Sequence, residues 1–87
     1  MYRVDLSDRH VQRQLMRLPR NLRTRLQNAM LRLEQNPRPP NAKPLRGNLM
    51  GVWRLRIGGY RILYEIDDAN RVVLIIDVGP RGSIYGP

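Results

Sequence analysis

Apolar and polar side chains repeat with different periods in the two halves of the chain. Residues 2 to 6 alternate between apolar and polar, which predicts a short first strand. Apolar residues then recur every three or four positions, as in helices, and after residue 51 the period returns to two. Three further strands are predicted, at about residues 52 to 57, 60 to 66 and 72 to 78.

The helical half divides into two helices. Ser7 or Asp8 can cap the first helix, which is expected to run through about Leu18, while Pro19 and Asn21 mark a break and a new start. The apolar stripe of the second helix consists of Leu22, Leu26, Ala29, Met30 and Leu33. Most arginines of this region lie off the apolar stripes, so the helical pair should pack on a sheet and expose a basic face. The proline-rich stretch at residues 36 to 41 cannot continue a helix and is predicted to be a loop.

A β-hairpin is the clearest local prediction. Gly58-Gly59 is a favoured two-residue turn, and folding about it pairs Arg56 with Arg61 and Arg54 with Leu63. Like charges directly opposite each other destabilise a sheet, so this pair is more easily understood if an anion bridges the two guanidinium groups. A solvated outer face in an arginine-rich protein is an equally good interpretation.

The register of the last strand follows if Ile66 pairs with Val72. The core face would then carry Tyr60, Ile62, Tyr64 and Ile66 together with Val72, Leu74, Ile76 and Val78. The opposite face would carry an aliphatic strip of Leu63, Val73 and Ile75, which the C-terminus or a partner should cover. On this register Asp77 falls opposite Arg61, either to hold its guanidinium group or as a plain cross-strand ion pair.

The predicted order is β-α-α-β-β-β. It describes an α+β fold, a mainly antiparallel four-stranded sheet with a helical hairpin packed on one face. At 87 residues the chain is expected to be a single domain, residues 1 to 87.

The composition limits the kinds of partner and site that the protein can have. Sixteen basic residues, fifteen of them arginine, stand against seven acidic ones and give a net charge of +9. This favours a nucleic-acid partner, with an acidic protein as the competing partner. The chain has no cysteine, and its single histidine, His10, falls in the first helix as an expected surface residue. We therefore expect no metal and no cofactor. The sequence shows no apolar run of about 18 residues and no signal-peptide pattern, so we expect no membrane segment and a cytoplasmic location.

Several runs of the sequence together resemble the RelE/ParE toxin superfamily, specifically a RelE-type mRNA interferase. The runs are Lys43 to Gly47, Trp53 to Arg56, Gly59 to Ile66, Val78 to Arg81, and Tyr85. The resemblance implies the toxin of a type II toxin–antitoxin pair, an endoribonuclease that enters the ribosomal A site and cleaves translated mRNA. Its implied partners are mRNA on the ribosome, ribosomal RNA and a small cognate antitoxin, with no cofactor or metal.

The resemblance also implies a site. The family's basic residues fall on Arg54, Arg56 and Arg61, its post-strand arginine on Arg81 and its C-terminal tyrosine on Tyr85. Such a site would support attack of a ribose 2′-OH on the adjacent phosphorus, with the arginines stabilising the phosphorane. The general base is not assigned, because arginine is effectively never deprotonated and Pro80 stands where many relatives show histidine.

Two other functions remain open. A ParE-like inhibitor of DNA gyrase would share the fold without the cleavage residues, and a non-catalytic module would bind RNA only. The aliphatic strip at Leu63, Val73 and Ile75 is one place where an antitoxin is expected to dock.

Overall fold

The computed structural model describes residues 1 to 80. The elements in chain order are β1 (Arg3–Asp5), α1 (Arg9–Met16), α2 (Arg20–Arg32), β2 (Ala42–Pro44), a 3₁₀ turn (Gly47–Leu49), β3 (Val52–Ile57), β4 (Tyr60–Asp67) and β5 (Val72–Pro80).

Over residues 1 to 80 the strands form one five-stranded sheet in the order β1-β5-β4-β3-β2. β1 runs parallel to β5, and the other neighbours are antiparallel. The predicted α+β fold is confirmed, with one strand more than expected. The extra strand is β2, three residues at the sheet edge that contain Pro44, which is tolerated there because an edge strand leaves amides unpaired.

Local capping explains where α1 begins. The Asp8 side chain accepts hydrogen bonds from the backbone amides of His10, at 2.8 Å, and Val11, at 3.3 Å, so Asp8 is the N-cap. The helix ends at Met16, two residues earlier than the apolar pattern suggests, and α2 begins at Arg20 directly after Pro19.

The core lies between the helical pair and one face of the sheet. Its fully or almost fully buried members are Val11, Leu15, Leu26, Ala29, Met30 and Leu33 from the helical region and Leu55, Ile62, Tyr64, Val73, Ile75 and Val78 from the strands. The predicted stripe of α2 therefore faces the sheet.

The β3–β4 hairpin has the predicted register. Arg56 pairs with Arg61 and Arg54 with Leu63, around a turn in which Gly58 has a φ of 57°. A positive φ at the first central residue is what a type II′ turn requires, and glycine adopts it without strain.

The predicted register of β4 with β5 was wrong by one residue. Ile66 pairs with Val73 instead of Val72, because the turn is a four-residue loop in which Arg71 adopts a left-handed φ of 55°. Val73 and Ile75 consequently lie in the core with no exposed surface. The expected aliphatic docking strip at Leu63, Val73 and Ile75 does not exist on the surface, since Leu63 is also buried.

A β-bulge restores the predicted faces further along β5. Tyr64 pairs with Ile75 but Leu63 pairs with Asp77, so Ile76 is the extra residue. Beyond the bulge Val78 faces the core and Asp77 the opposite side, as expected. The residue directly opposite Arg61 is Gly79, and not Asp77.

Neither of the two helices in the described part of the chain is long and apolar enough to cross a membrane.

Candidate active site

The sheet face opposite the helices carries two rows of side chains that include the predicted arginines. In the row nearest the β3–β4 turn, Arg56, Arg61 and Gly79 lie side by side on three strands. The next row begins on β2, and it contains Lys43, Arg54, Leu63 and Asp77. The three predicted arginines of the sheet are therefore neighbours on one face.

Their exposure differs. Arg56 is exposed and Arg54 partly buried, while Arg61 is only 1% exposed. The Nε atom of Arg54 is buried, and no residue between 1 and 80 accepts a hydrogen bond from it. A buried donor that lacks a protein acceptor is the kind of group that a ligand oxygen can satisfy.

Arg61 is oriented by β5. Its Nη2 atom donates to Asp77 Oδ2 at 2.9 Å, a buried, charge-assisted hydrogen bond that runs diagonally across the two strands. The guanidinium group passes directly over Gly79, where a Cβ atom would lie 2.8 Å from Arg61 Nη1. The expected Arg61–Asp77 ion pair is thus present, although the strand register differs.

Two residues near this face were missed by sequence reasoning. Lys43 lies opposite Arg54 because β2 joins the sheet, and a three-residue strand ending in proline gives almost no alternation signal. His10, expected to be a simple surface residue, reaches Asp77 from α1, with 3.2 Å between His10 Nε2 and Asp77 Oδ1. No local pattern connects a helix residue to a strand residue 67 positions away.

The tip of the hairpin is also basic. A Cβ atom at Gly58 would lie 3.4 Å from Arg25 Nη2, so α2 brings an additional guanidinium group to the β3–β4 turn. Arg81 and Tyr85, the other two predicted site residues, lie outside the described residues.

The carboxyl group whose pKa is shifted most among residues 1 to 80 lies at the far end of the sheet. Hydrogen bonds from Arg38 and Tyr2 lower the pKa of Asp68 to about 2. Arg38 makes a bidentate contact with Asp68, at 3.2 and 2.8 Å, and its guanidinium carbon lies 5.4 Å from the ring centre of Trp53. This cluster joins the loop at residues 36 to 41 to the sheet and is structural.

The chain has a helical pair on one face of a mainly antiparallel sheet and arginines on the other face. Comparison with known proteins identifies this class as toxins of toxin–antitoxin systems. Residues 6 to 85 match the family described as ParE toxin of type II toxin–antitoxin system, parDE. The chain belongs to this family, and the predicted membership of the RelE/ParE superfamily is confirmed.

Curated relatives match over part of the chain. Toxin RelG of Mycobacterium tuberculosis is 49% identical over 43 residues, which is 49% of this chain and 49% of the relative. Toxin RelE of the same organism is 44% identical over 43 residues, or 49% of this chain and 44% of the relative. The matched segment thus spans about half of each relative or less.

Solved structures match over nearly the whole length. A chain of the toxin–antitoxin complex RelBE2 from Mycobacterium tuberculosis has a TM-score of 0.82 at 33% identity, covering 92% of this chain and 98% of that chain. The isolated E. coli RelE toxin has a TM-score of 0.76 at 26% identity, with 98% and 92% covered. The RelE-like fold is therefore shown over nearly the whole chain.

Proposed function

We propose that the chain is the toxin of a type II pair and acts as a ribosome-dependent endoribonuclease that cleaves translated mRNA. The observation that carries the proposal is the grouping of Arg54, Arg56 and Arg61 on one sheet face next to the basic hairpin tip. The sequence identity of 44% with a RelE toxin over 43 residues and of 26% with another over nearly the whole chain supports the proposal.

The reaction would be an internal transesterification. The ribose 2′-oxygen loses its proton and bonds to the adjacent phosphorus, the bond from phosphorus to the 5′-oxygen breaks, and that oxygen takes up a proton. The products are a 2′,3′-cyclic phosphate and a 5′-OH end. In this proposal Arg54, Arg56 and Arg61 contact the phosphate, and Arg81 and Tyr85 complete the site. Arginine stabilises the charge of the phosphorane but does not accept the 2′ proton.

The test is translation-coupled cleavage by wild type and Arg56→Ala, with end-group analysis of the cut RNA. Arg56 is exposed, so its loss should leave the fold intact while cleavage falls about a hundredfold or more, the usual effect of removing one transition-state donor. The matched control is Arg71→Asn, which removes one positive charge at the opposite end of the sheet. Asparagine tolerates the left-handed φ of 55° found there. Intact mRNA in a ribosome-containing extract with wild-type protein would contradict the proposal.

A second candidate function is inhibition of DNA gyrase, favoured by the match to the family described as the ParE toxin of parDE systems. It predicts that the toxin causes DNA cleavage when mixed with purified gyrase and supercoiled plasmid. In the ribosome-containing extract it predicts that mRNA stays intact. The two assays together separate the candidates.

We also propose that a small acidic antitoxin neutralises the toxin, as the RelBE2 structure contains a toxin–antitoxin complex. The net charge of +9 suits an acidic partner. Co-purification with the protein encoded beside the toxin tests this proposal, and recovery of the toxin alone at low salt would contradict it.

A further inference from the structure

The carboxylate of Asp77 connects a surface side chain with a buried one. Its Oδ2 atom accepts from Arg61 Nη2 at 2.9 Å, and its Oδ1 atom lies 3.2 Å from His10 Nε2. An ionised carboxylate can only accept, so the imidazole donates from Nε2. The side chain of His10 is 57% exposed, whereas those of Asp77 and Arg61 are 11% and 1% exposed. A chain of two hydrogen bonds therefore runs from the surface of α1 to the buried guanidinium group.

The backbone at His10 is held in place from both sides. Asp8 caps the helix through the amides of His10 and Val11, and Val11 is fully buried in the core. One turn further on, the side chain of Gln14 accepts from the backbone amide of Val78 at 3.0 Å. The helix is thus docked along β5 at two adjacent residues, Asp77 and Val78, and this docking brings the imidazole to the carboxylate.

Taking the proposed ribonuclease function as its basis, we propose that His10 is a positioning residue for Arg61 and acts through Asp77. A guanidinium group recognises phosphate through the direction of its N–H fork, so a small rotation weakens the contact. Asp77 fixes the direction of Arg61, and His10 fixes the second oxygen of that carboxylate and so prevents its rotation. His10 itself need not touch the RNA.

Three variants and a control test this role in single-turnover cleavage of mRNA on programmed ribosomes. His10→Ala should lower the maximal rate about tenfold while the half-saturating toxin concentration changes less than about twofold, as expected for lost positioning and not lost binding. His10→Gln retains an N–H that can donate to Asp77 and should recover most of the rate. His10→Leu keeps comparable bulk without a donor and should behave like His10→Ala. Gln27→Ala, an exposed polar change on α2, should match wild type.

A second readout does not depend on cleavage. In wild type the Nε–H proton of Arg61 should give a sharp, slowly exchanging NMR signal, because the group is buried and held by Asp77. In His10→Ala the signal should broaden, and in His10→Gln it should sharpen again. If wild type fails to cleave mRNA, the ribonuclease proposal fails, yet this measurement still decides whether His10 orders Arg61.

Two results would overturn the positioning role. One is His10→Ala with unchanged rate and an unchanged Arg61 signal. The other is His10→Gln as inactive as His10→Ala while its Arg61 signal stays sharp, because His10 would then act by exchanging a proton itself.

Discussion

At the scale of single residues, the pairing of Arg56 with Arg61 looks unfavourable but has a structural explanation. Arg61 turns away from its neighbour, passes over Gly79 and donates to Asp77, so its charge is balanced within the sheet. The like-charge pair alone therefore does not require a bound anion. In the proposed site the exposed Arg56 and the partly buried Arg54 contact the phosphate together with the oriented Arg61.

Gly79→Ala tests how closely Arg61 must approach β5. The added methyl group would lie 2.8 Å from Arg61 Nη1, closer than real contacts allow, so the guanidinium group must shift. Because Arg61 is buried and tied to Asp77, we expect a loss of about 1 to 3 kcal/mol in the free energy of unfolding, typical of overpacking. Mutant cleavage should fall even under conditions where the protein is fully folded. Urea unfolding and single-turnover cleavage measure the two effects.

The matched control is Gly59→Ala, in the β3–β4 turn. Its added methyl group meets nothing within 4 Å, and Gly59 has no positive φ. Its unfolding free energy should stay within about 1 kcal/mol of wild type. A Gly79→Ala protein as stable and active as Gly59→Ala would show that Arg61 has freedom that the structure does not suggest.

At the scale of elements, the proline-rich loop at residues 36 to 41 is fastened to the sheet by side chains. The hydroxyl group of Tyr64 donates to the carbonyl oxygen of Pro37 at 2.7 Å, and Arg38 binds Asp68 in the β4–β5 turn. Tyr2 also donates to Asp68, so the first strand joins the same cluster. The loop therefore holds a fixed path between α2 and β2.

Removing the Tyr64 hydroxyl should loosen this loop. Tyr64→Phe leaves the buried carbonyl of Pro37 without its donor and should cost about 1 to 3 kcal/mol of unfolding free energy at neutral pH.

Burial raises the pKa of Tyr64 to about 12. Between pH 10 and 12 the unfolded chain releases this proton while the native protein keeps it, so stability falls as pH rises. Chemical unfolding from pH 9 to 12 should show this decline in wild type. An identical decline in Tyr64→Phe would contradict the assignment.

The contacts of Asp68 with Arg38 and Tyr2 predict the opposite pH dependence of stability, a loss as the pH falls. Arg38 and Tyr2 lower the pKa of Asp68 to about 2, so its stabilising contribution is complete above the usual aspartate pKa and is lost as pH falls towards 2. Asp68→Asn should therefore be less stable than wild type at pH 6, and the difference should shrink between about pH 4 and pH 2. Urea unfolding of both proteins at several pH values measures it. A difference that is constant with pH would mean that the ion pair contributes nothing.

These elements also show what the sequence could and could not predict. Gly58-Gly59 determined the β3–β4 register, and hence the common face of Arg54, Arg56 and Arg61, because a two-residue turn leaves one pairing. The β4–β5 register depended on the left-handed Arg71 and the bulge at Ile76, and neither changes the apolar pattern. In an aliphatic strand such as β5, both faces look equally apolar.

Only the part of the candidate site that lies within one hairpin could be predicted from the sequence. The alternation of apolar and polar residues predicted the positions of the hairpin arginines, whereas Lys43 and His10 reach the site through long-range packing. Lys43 depends on the edge pairing of β2. His10 depends on the docking of α1 along β5, which no spacing in the sequence encodes.

At the scale of the whole molecule, charge is separated along the sheet. Arg25 and Arg56 lie at the β3–β4 turn, whereas Glu65, Asp67 and Asp68 surround an open depression at the β4–β5 end. A basic pole on a molecule of net charge +9 should orient the toxin on its proposed RNA partner and speed its association.

Neutralising one charge at each pole tests this orientation. Arg25→Gln changes an exposed residue at the basic pole, and it should weaken ribosome binding and reduce the salt slope of the binding constant by about one. Arg71→Asn makes the same change in net charge near the acidic pole and should have a much smaller effect. Binding measured from low to physiological salt gives both slopes. Equal slopes for the two variants would mean that net charge alone attracts the toxin, since only an oriented complex distinguishes two arginines at opposite ends of the sheet.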